Sequence, residues 1–444
     1  MIEAKLNFPK GFLWGTATSA HQVEGGNANN DWWLWEKQSG RISDATRSGN
    51  ACEWWKGRWN EDFERASSGG QNAHRLSVEW SRIEPTPGVW DEEALLHYRE
   101  MIKGAKKRGL KSMLTLHHFT NPAWAAELGG WTNAEMVVYF ERYVRKVASS
   151  LIDLVDHWIT INEPNTYLYN AHIRGTFPPA NVESTQAIQA AQHLALGHAA
   201  AYHALHEMQA EASVGLAHHY RDLQSTRGAS ALGRWFANSR SKRFNELFPT
   251  LLRDGQFRLL GKRIALQKVK RTQDFFGLSY FSTALDLSNP KESFNMGFPE
   301  PGIVARNEIA GIWRALAFAQ AFKLPIFITA DGVDDVSDEL RRATLAKNLR
   351  HVWKAANFNW KLRGYFHWSL VDHFSWQHGW SKRFGLWALD PETQKRKKRP
   401  SADFYADICR SNSLTSEMVA LHSPAVFEVL FPDDQQREFV GTLP

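Results

Sequence analysis

Short apolar runs recur along the whole chain, separated by longer stretches with helical periodicity. The runs lie at 12–18, 74–80, 111–117, 157–162, 213–218, 274–281, 325–330 and 363–369. Their length suits strands. Short apolar runs that are each followed by a helical segment are typical of the buried parallel strands of α/β folds. The pattern therefore predicts eight buried parallel strands.

Amphipathic segments separate several of these runs. In 91–108 one helix face is apolar, and Gly109 stands where a helix C-cap is expected. The residues of that face are Ala94, Leu95, Tyr98, Met101, Ile102 and Ala105. Comparable segments lie near 133–152, 185–211, 307–322 and 338–357. Eight such strands, with helices between several of them, predict the α/β class and a single (β/α)8 TIM barrel.

The chain is longer than a barrel requires, and we assign the surplus to long βα loops. It has 444 residues, whereas a minimal barrel needs about 250. The extra segments are 23–60, 119–131, 165–183, 221–273 and 282–305. Since most of them follow strands, we expect them to build the C-terminal face of the barrel. We predict a barrel over 1–410 and a tail over 411–444, whose apolar run at 426–431 packs back on it.

Composition excludes several classes of protein. With 43% hydrophobic and 23% charged residues, the chain can bury a large core and is not typical of disordered proteins. No run of 18 apolar residues occurs, so we expect no membrane-spanning helix. Residues 1–9 show no apolar signal core, and only Cys52 and Cys409 are present. These features predict a cytoplasmic protein with free thiols.

Charge and aromatic content add little that is decisive. The net charge is +6, and part of it lies in Lys395-Arg396-Lys397-Lys398-Arg399. A solvated surface loop explains this run better than a polyanion site, so we expect neither nucleic acid nor membrane as a partner. The 20 tryptophans fit two interpretations equally, a Trp-rich core and aromatic surfaces that stack on sugar rings.

In a barrel of this kind, the chemistry lies where the strands end. Polar residues at the predicted ends are His21, Gln22, Arg75, Glu79, His117, His118, Asn162, Glu163, Ser279, Tyr280, Asp331 and Asp372. Glu163 is the strongest candidate for proton transfer, although a loop-capping role explains it equally well. His117 and His118 are adjacent on a strand and face opposite ways, so no metal is expected. Neither a phosphate loop nor a dinucleotide fingerprint occurs, and no cofactor is predicted.

Several long motifs occur in a fixed order: FPKGFLWGTATSAHQVEG (8–25), HRLSVEWSRIEP (74–85), TLHHF (115–119), WITINEPN (158–165) and KRFGLWALD (382–390). In these motifs the chain resembles glycoside hydrolase family 1, the retaining β-glucosidases and β-galactosidases. The resemblance covers roughly residues 8 to 409. It implies hydrolysis of a small-molecule β-glycoside or oligosaccharide without a cofactor. It does not fix the sugar or the oligomeric state.

The resemblance also implies roles for single residues. The family uses two carboxylates, one that protonates the leaving oxygen and one that attacks the anomeric carbon. Glu163 matches the acid/base, and Arg75 matches the arginine that steadies the nucleophile. We expect the substrate to contact Gln22, His118, Asn162, Tyr280, Trp368, Ser375 and Trp376.

The sequence departs from the family at the nucleophile. The family motif reads Ile-Thr-Glu-Asn-Gly, whereas this chain reads Ile328-Thr329-Ala330-Asp331-Gly332. The nucleophile position, Ala330, is therefore vacant. The neighbouring Asp331 should not replace it, because successive side chains of a strand point to opposite faces. Further departures are Phe119, Ser279, Phe281 and Ser375.

Three explanations remain open. We favour a retaining β-glycosidase whose nucleophile has been replaced. The second explanation is a barrel that has no hydrolytic activity and binds a sugar or another ligand. The third explanation is a glycosidase in which a loop or the substrate itself supplies the carboxylate. A 6-phospho-β-glycosidase is a further variant, because Ser375 and Lys382 match phosphate-binding positions while Phe384 replaces the expected tyrosine.

Overall fold

A computed structural model describes residues 4–224, 231–281, 285–286 and 311–432. Eight parallel strands form a closed barrel in the order β6-β7-β8-β1-β2-β3-β4-β5. They are β1 Leu13–Ala17, β2 Ala73–Ser77, β3 Lys111–His117, β4 His157–Asn162, β5 Val214–Tyr220, β6 Phe275–Phe281, β7 Ile326–Gly332 and β8 Leu362–His367. Each strand coincides with one predicted apolar run, so the predicted (β/α)8 barrel is confirmed.

Helices surround the strands. One barrel helix follows each strand: α1 Trp59–Ser68, α2 Glu92–Lys107, α3 Met136–Leu151, α4 Ser184–Met208, α5 Leu247–Asp254, α6 Gly311–Gln320, α7 Glu339–Asn357 and α8 Pro400–Ser411. The predicted helices over 91–108, 133–152, 185–211 and 338–357 are confirmed. Helix α2 begins after Asp91, whose side chain accepts a hydrogen bond from the Ala94 amide at 2.9 Å. The first residues of the predicted segment 307–322 lie outside the described residues.

The loops carry further short elements. Additional helices are Ala20–Val23, Asp31–Glu36, Trp54–Lys56, Trp80–Ile83, Ala123–Glu127, Gly130–Thr132, Pro164–Tyr169, Asn170–Arg174, Ala231–Asn245, Gln267–Val269, Trp376–His378, Ser416–His422, Pro424–Val426 and Phe427–Leu430. Paired short strands are Lys5–Asn7 with Ser413–Thr415, Leu223–Gln224 with Leu285–Asp286, Gln256–Leu259 with Lys262–Ala265, and Trp387–Leu389 with Arg396–Lys398. The described part of segment 221–273, predicted as an insertion, thus contains three helices, a hairpin and the short strand Leu223–Gln224. Most of segment 282–305 falls outside the described residues.

The core has an inner and an outer layer. Inside the barrel, apolar side chains from alternate strand positions pack together, among them Met113, Ile159, Phe327 and Phe366. Larger clusters fill the space between strands and helices. Six tryptophans, at positions 14, 32, 54, 80, 131 and 158, are fully buried. For these six, a place in the packed core explains the residue without any contact to sugar.

The basic run at 395–399 is only partly solvated, which corrects the expectation of a surface loop. In strand Arg396–Lys398, the first residue turns inward, whereas Lys397 and Lys398 are exposed. The Arg396 side chain is fully buried and pairs with Asp62 at 3.2 Å. Arg399 donates two hydrogen bonds to the carboxylate of Asp372, at 2.9 and 2.8 Å. Arg396 therefore ties this strand to helix α1, and Arg399 ties it to the loop after β8.

Residues 413–431 lie against the barrel. Ser413–Thr415 pairs antiparallel with Lys5–Asn7. Val419, Val426 and Leu430 are buried in the outer core layer. The Arg342 guanidinium on α7 donates to the carbonyl oxygen of His422 at 2.6 Å. Within the described ranges, no helix has both the length and the hydropathy needed to cross a membrane.

Candidate active site

Glu163 stands at the point where β4 turns directly into helix Pro164–Tyr169. Its backbone is left-handed, with φ 42° and ψ 59°, and its amide donates to the Ala217 carbonyl on β5 at 2.8 Å. Pro164 follows at the first helical position, which it favours because its φ is already helical. A left-handed residue other than glycine costs about 1–3 kcal/mol and is concentrated at functional sites. The local strain at Glu163 is consistent with a functional role.

The Glu163 carboxyl is buried and held by polar neighbours. His219 Nδ1 lies 3.3 Å from Glu163 Oε2 and 2.9 Å from Thr166 Oγ1. Burial alone would raise the pKa of Glu163, but His219, the hydrogen bonds from His219 and Thr166, and the charge of Arg75 hold it below its ordinary value. Burial also lowers the pKa of His219. Glu163 and His219 therefore form a close buried polar pair at the ends of β4 and β5.

Arg75 links four barrel strands beneath this carboxylate. From β2 it donates to Thr115 Oγ1 at 3.2 Å, to Asn162 Oδ1 at 2.5 Å and to the Thr329 carbonyl at 2.9 Å. Burial lowers the pKa of Arg75 to about 10, and the charge of Glu163 opposes this shift. Arg75 is thus a buried cation at neutral pH. Its three hydrogen bonds fix the relative positions of β2, β3, β4 and β7.

Ala330, the expected position of the nucleophile, lies on β7, next to this network. Ala330 is 1% exposed and packs in the inner apolar cluster, which Phe281 also contacts. The register with β6 skips Thr329: Ile328 pairs with Leu278, and Ala330 pairs with Ser279. This irregularity, a β-bulge, changes the direction in which the side chains at the end of the strand point. What position 330 offers to a ligand is a methyl group.

Asp331 points away from the inner cluster, as strand alternation predicts. Its carboxylate accepts hydrogen bonds from Asn348 Nδ2 at 3.1 and 2.9 Å and from the Tyr365 hydroxyl at 2.7 Å. Burial raises the pKa of Asp331 to about 6, against these hydrogen bonds. Because both partners belong to the layer between the strands and helix α7, the Asp331 carboxylate faces away from the inner cluster that contains Ala330.

Four of the expected substrate contacts lie together. Asn162 Nδ2 is 3.1 Å from His118 Nε2. The His118 ring stands nearly parallel to Trp368 and to Trp376, with centroids 6.1 Å from each. Burial keeps the pKa of His118 well below its ordinary value. Its Nδ1 has no hydrogen-bond partner among the described residues, so a neutral ring nitrogen remains for a ligand hydroxyl.

Gln22 and Ser375 lie beside this group, but their polar contacts are internal. Gln22 Nε2 donates to the Phe374 carbonyl at 2.6 Å, and Gln22 Oε1 accepts from Ser19 at 2.5 Å. The Ser375 amide donates to the Gly379 carbonyl at 2.6 Å, next to Trp376. The ring centroids of Phe119 and Trp376 are 5.2 Å apart. This end of the site is therefore bounded by aromatic surface.

Tyr280 is not part of the site, which corrects its expected role as a substrate contact. Its ring belongs to the outer core layer with Leu278 and Ile312. The next residue, Phe281, turns inward, and its ring lies 6.5 Å from that of Trp368. The physical reason is the two-residue period of the strand, which puts Tyr280 and Phe281 on opposite faces.

Sequence reasoning missed the role of His219. Neither His218 nor His219 is among the expected site residues. In the structure His218 stacks on Phe276 at 4.6 Å, and only His219 reaches the acid/base position. The available signal was its place at the end of β5. No group of three potential metal ligands occurs in the described part of the chain.

Comparison with known proteins agrees with this geometry. The sequence profile of glycosyl hydrolase family 1 matches residues 4–414. A 1,4-beta-D-glucan glucohydrolase of Thermotoga neapolitana is 29% identical, covering 92% of this chain and 99% of that protein. A beta-galactosidase of Sulfolobus acidocaldarius is 27% identical, covering 94% and 98%. A beta-glycosidase from Pyrococcus horikoshii superposes with a TM-score of 0.85 and 32% identity, covering 94% and 98%.

A solved structure with a ligand is also similar. The beta-glucosidase from Thermotoga maritima in complex with glucoimidazole superposes with a TM-score of 0.83 and 27% identity, covering 92% of this chain and 100% of that one. A closed barrel with a buried glutamate and stacked rings at the strand ends defines the class of barrel glycosidases. The chain belongs to glycosyl hydrolase family 1, and its function is that of a β-glycosidase, an O-glycosyl hydrolase.

Proposed function

We propose that the protein is a retaining β-glycosidase for β-glucosides or related β-glycosides in which Ala330 leaves the nucleophile position vacant. One observation carries the proposal. Arg75, Asn162 and Glu163 form a connected buried network, while β7 presents the methyl group of Ala330 beside it. The part of the site that holds the sugar and the acid/base is therefore kept, and the attacking group is not.

Each kept residue has a step to perform. Glu163 is the proton donor to the leaving oxygen, and in a complete site it would return as the base that activates water. Asn162 and His118 face the sugar hydroxyls, and Trp368 and Trp376 provide the aromatic surface for the ring. Arg75 supports the charge of the nucleophile. With no carboxylate at position 330, no glycosyl-enzyme forms, and hydrolysis by this chain is impaired.

The same network also explains why Glu163 is a poor acid in this chain. A general acid must carry its proton at the working pH. Here the pKa of Glu163 is held down by its polar neighbours. A second carboxylate nearby would raise it, because two close negative charges disfavour ionisation. Loss of the nucleophile therefore impairs the proton donor as well.

Relatives support the substrate class. They are named as beta-glucosidases, beta-galactosidases and a 1,4-beta-D-glucan glucohydrolase. The 6-phosphate alternative is weaker because Lys382 Nζ already pairs with Asp334 Oδ2 at 3.3 Å. The Phe384 ring stacks on His373 at 6.1 Å and offers no hydroxyl to a phosphate. A neutral glycone fits these contacts better.

The decisive experiment is chemical rescue. Release of nitrophenol from an aryl β-glucoside is measured with and without azide or formate. We expect the anion to raise the rate, and azide to yield an α-glycosyl azide, because it forms the bond to the anomeric carbon as nitrophenolate leaves. Nitrophenolate needs little protonation, so the ionised Glu163 is no obstacle.

The control variant is Ala330→Val, which fills the space with apolar atoms. Rescue should disappear in it. If no anion has an effect with glucosides, galactosides or their 6-phosphates, the proposal fails, and a ligand-binding barrel without hydrolysis becomes the better explanation.

We further infer that the barrel comprises residues 1–410, with 411–444 as its tail, and that the protein acts on small glycosides in the cytoplasm. Cys52 and Cys409 are both free and buried, which supports a reducing compartment. The pairing of Lys5–Asn7 with Ser413–Thr415 supports a tail that packs on the barrel.

A further inference from the structure

A cavity lies beside Glu163, at the ends of β4 and β5. Its volume is about 500 Å³, within the range of small-molecule sites, which is roughly 300–1,000 Å³. Asn165, Tyr169 and Phe244 form the wall nearest Glu163. Asn165 Nδ2 donates to the His219 carbonyl at 2.7 Å, and the Phe244 and His219 rings are 5.7 Å apart. The cavity wall thus contacts His219, the polar partner of Glu163.

Positive charge is concentrated in this cavity. Arg174, Arg240 and Arg243 line it, together with aliphatic and aromatic side chains. Arg240 and Arg243 are three residues apart on one helix and therefore share a face. A fourth cation, Arg221, lies over the Phe244 ring at 4.6 Å and over Tyr169 at 5.9 Å. No Asp or Glu is among the described residues that line the cavity.

The three arginines that line the cavity, Arg174, Arg240 and Arg243, lack carboxylate partners where the structure describes the chain. None of Arg174, Arg240 and Arg243 forms an ion pair with a described Asp or Glu, whereas Arg253, further along, pairs with Asp254 at 2.8 Å. Arg174 Nη1 is buried without a described hydrogen-bond partner. Burial lowers the pKa of Arg174. Arg174 is half-buried, so water compensates only part of its charge, and a bound anion would compensate the rest.

The four arginines act on the same point. Burial raises the pKa of the Tyr169 hydroxyl, while the charges of Arg221, Arg174, Arg240 and Arg243 all lower it. Guanidinium groups bind carboxylate and phosphate oxygens through paired N–H donors. The neighbouring Tyr169 and Phe244 rings suit an aromatic body. The cavity therefore combines what an aromatic oxyanion requires.

We propose that this cavity is a binding subsite for an organic oxyanion, a carboxylate or phosphate group carried on an aromatic ring. Because it adjoins Glu163, which faces the leaving group, the oxyanion would belong to the aglycone of the glycoside. That assignment to the aglycone rests on the proposed function, whereas anion binding in the cavity does not. The substrate class becomes β-glycosides with a negatively charged aromatic aglycone.

Calorimetry on the full chain tests the anion site. Naphthalene-2-carboxylate, 2-naphthyl phosphate and the neutral naphthalene-2-carboxamide are titrated in turn. We expect at least one anion to bind about tenfold or more tightly than the amide, because one charge-assisted hydrogen bond is worth about 1.5–3 kcal/mol. The tighter of the two anions identifies the group. The preference should weaken as salt is added.

Variants locate the site. Arg240→Gln with Arg243→Gln should abolish the preference for the anion and leave amide binding unchanged. The matched control is Arg363→Gln, at the start of β8 on the opposite end of the barrel, where the side chain is exposed. Arg174→Gln provides an independent second test. Equal affinity for anion and amide, or a double variant that behaves like the control, would overturn the proposal.

Two further ligands separate this proposal from the proposed function. Glucoimidazole probes the sugar pocket alone, and 4-carboxyphenyl β-glucoside spans both sites. Binding of glucoimidazole without any anion preference would refute the subsite and leave the glycosidase site standing. A preference for the anion without glucoimidazole binding would refute the glycosidase site and leave the subsite standing. If the carboxyphenyl glucoside binds no more tightly than its carboxamide analogue while the free anion does bind, the cavity is not on the aglycone side.

Discussion

Replacing Ala330 with glutamate should restore glycosidase activity. The new carboxylate would stand at the end of β7, on the strand whose Thr329 carbonyl accepts a hydrogen bond from Arg75 at 2.9 Å. It would supply the attacking oxygen for the anomeric carbon, and it would act on Glu163 through its charge. Both effects increase the rate, so the variant tests the nucleophile and the proton donor together.

The magnitude follows from charge and burial. In retaining enzymes the two carboxyl groups are about 5–5.5 Å apart. At about 5 Å and an effective dielectric of about 20, two unit charges repel by about 3 kcal/mol. Since about 1.4 kcal/mol is a tenfold change in an equilibrium constant, the protonated form of Glu163 would gain about a hundredfold. General acid help contributes about 10²–10⁴-fold, and the new nucleophile adds to it.

The assay is hydrolysis of an aryl β-glucoside and of a poorer leaving group, compared among this chain, Ala330→Glu and Ala330→Gln. The glutamine variant matches the glutamate in size without its charge. Adding bulk at a site that is 1% exposed costs stability by about 1–3 kcal/mol, so thermal melting must show that both variants fold. We expect activity only with glutamate. A folded Ala330→Glu protein as inactive as this chain would refute the reasoning.

Three further outcomes are expected. In the Ala330→Glu background, Glu163→Gln should cost about 10²–10⁴-fold with leaving groups that need a proton and little with nitrophenolate; an equal loss with both would contradict the acid role. In the same background, His219→Gln should move the alkaline limb of the kcat profile to higher pH, because His219 lowers the pKa of Glu163; an unmoved limb would exclude that coupling. For Asp331, whose folded pKa is raised from 3.8 to about 6, the folded state binds its proton more tightly than the unfolded state. Stability is therefore lost as pH rises from about 4 to about 6, by about 2–3 kcal/mol, and Asp331→Asn should flatten that part of the unfolding curve.

The barrel could be predicted because its signal is local. Each strand is an apolar run, and each run was visible without knowledge of its neighbours. The place of Glu163 followed as well, since the carboxyl ends of parallel barrel strands meet at one face. The orientation of Asp331 away from the inner cluster followed from the two-residue strand period.

Features that depend on distant pairing could not be predicted. The register shift at β7 depends on how it pairs with β6, and no local pattern in Ile328–Gly332 shows it. Arg396 is buried because Asp62, 334 positions away in the chain, lies opposite. The arginine cavity brings Arg174 together with residues of helix Ala231–Asn245, which the sequence treats as unrelated surface. Tyr280 was misplaced because its strand was identified without assigning its faces.

The charges of Arg75 and Glu163 depend on each other. Arg75 is buried and cannot turn toward water, so the absence of a carboxylate at position 330 leaves Glu163 to balance its charge. Each group favours the charged form of the other. The charge of Arg75 therefore adds to the effect of His219 in lowering the pKa of Glu163. A small anion bound beside Arg75 would replace the attacking group and share that charge, and the nearby negative charge would return Glu163 toward its protonated form. Rescue by azide should consequently extend, more weakly, to leaving groups that need a proton.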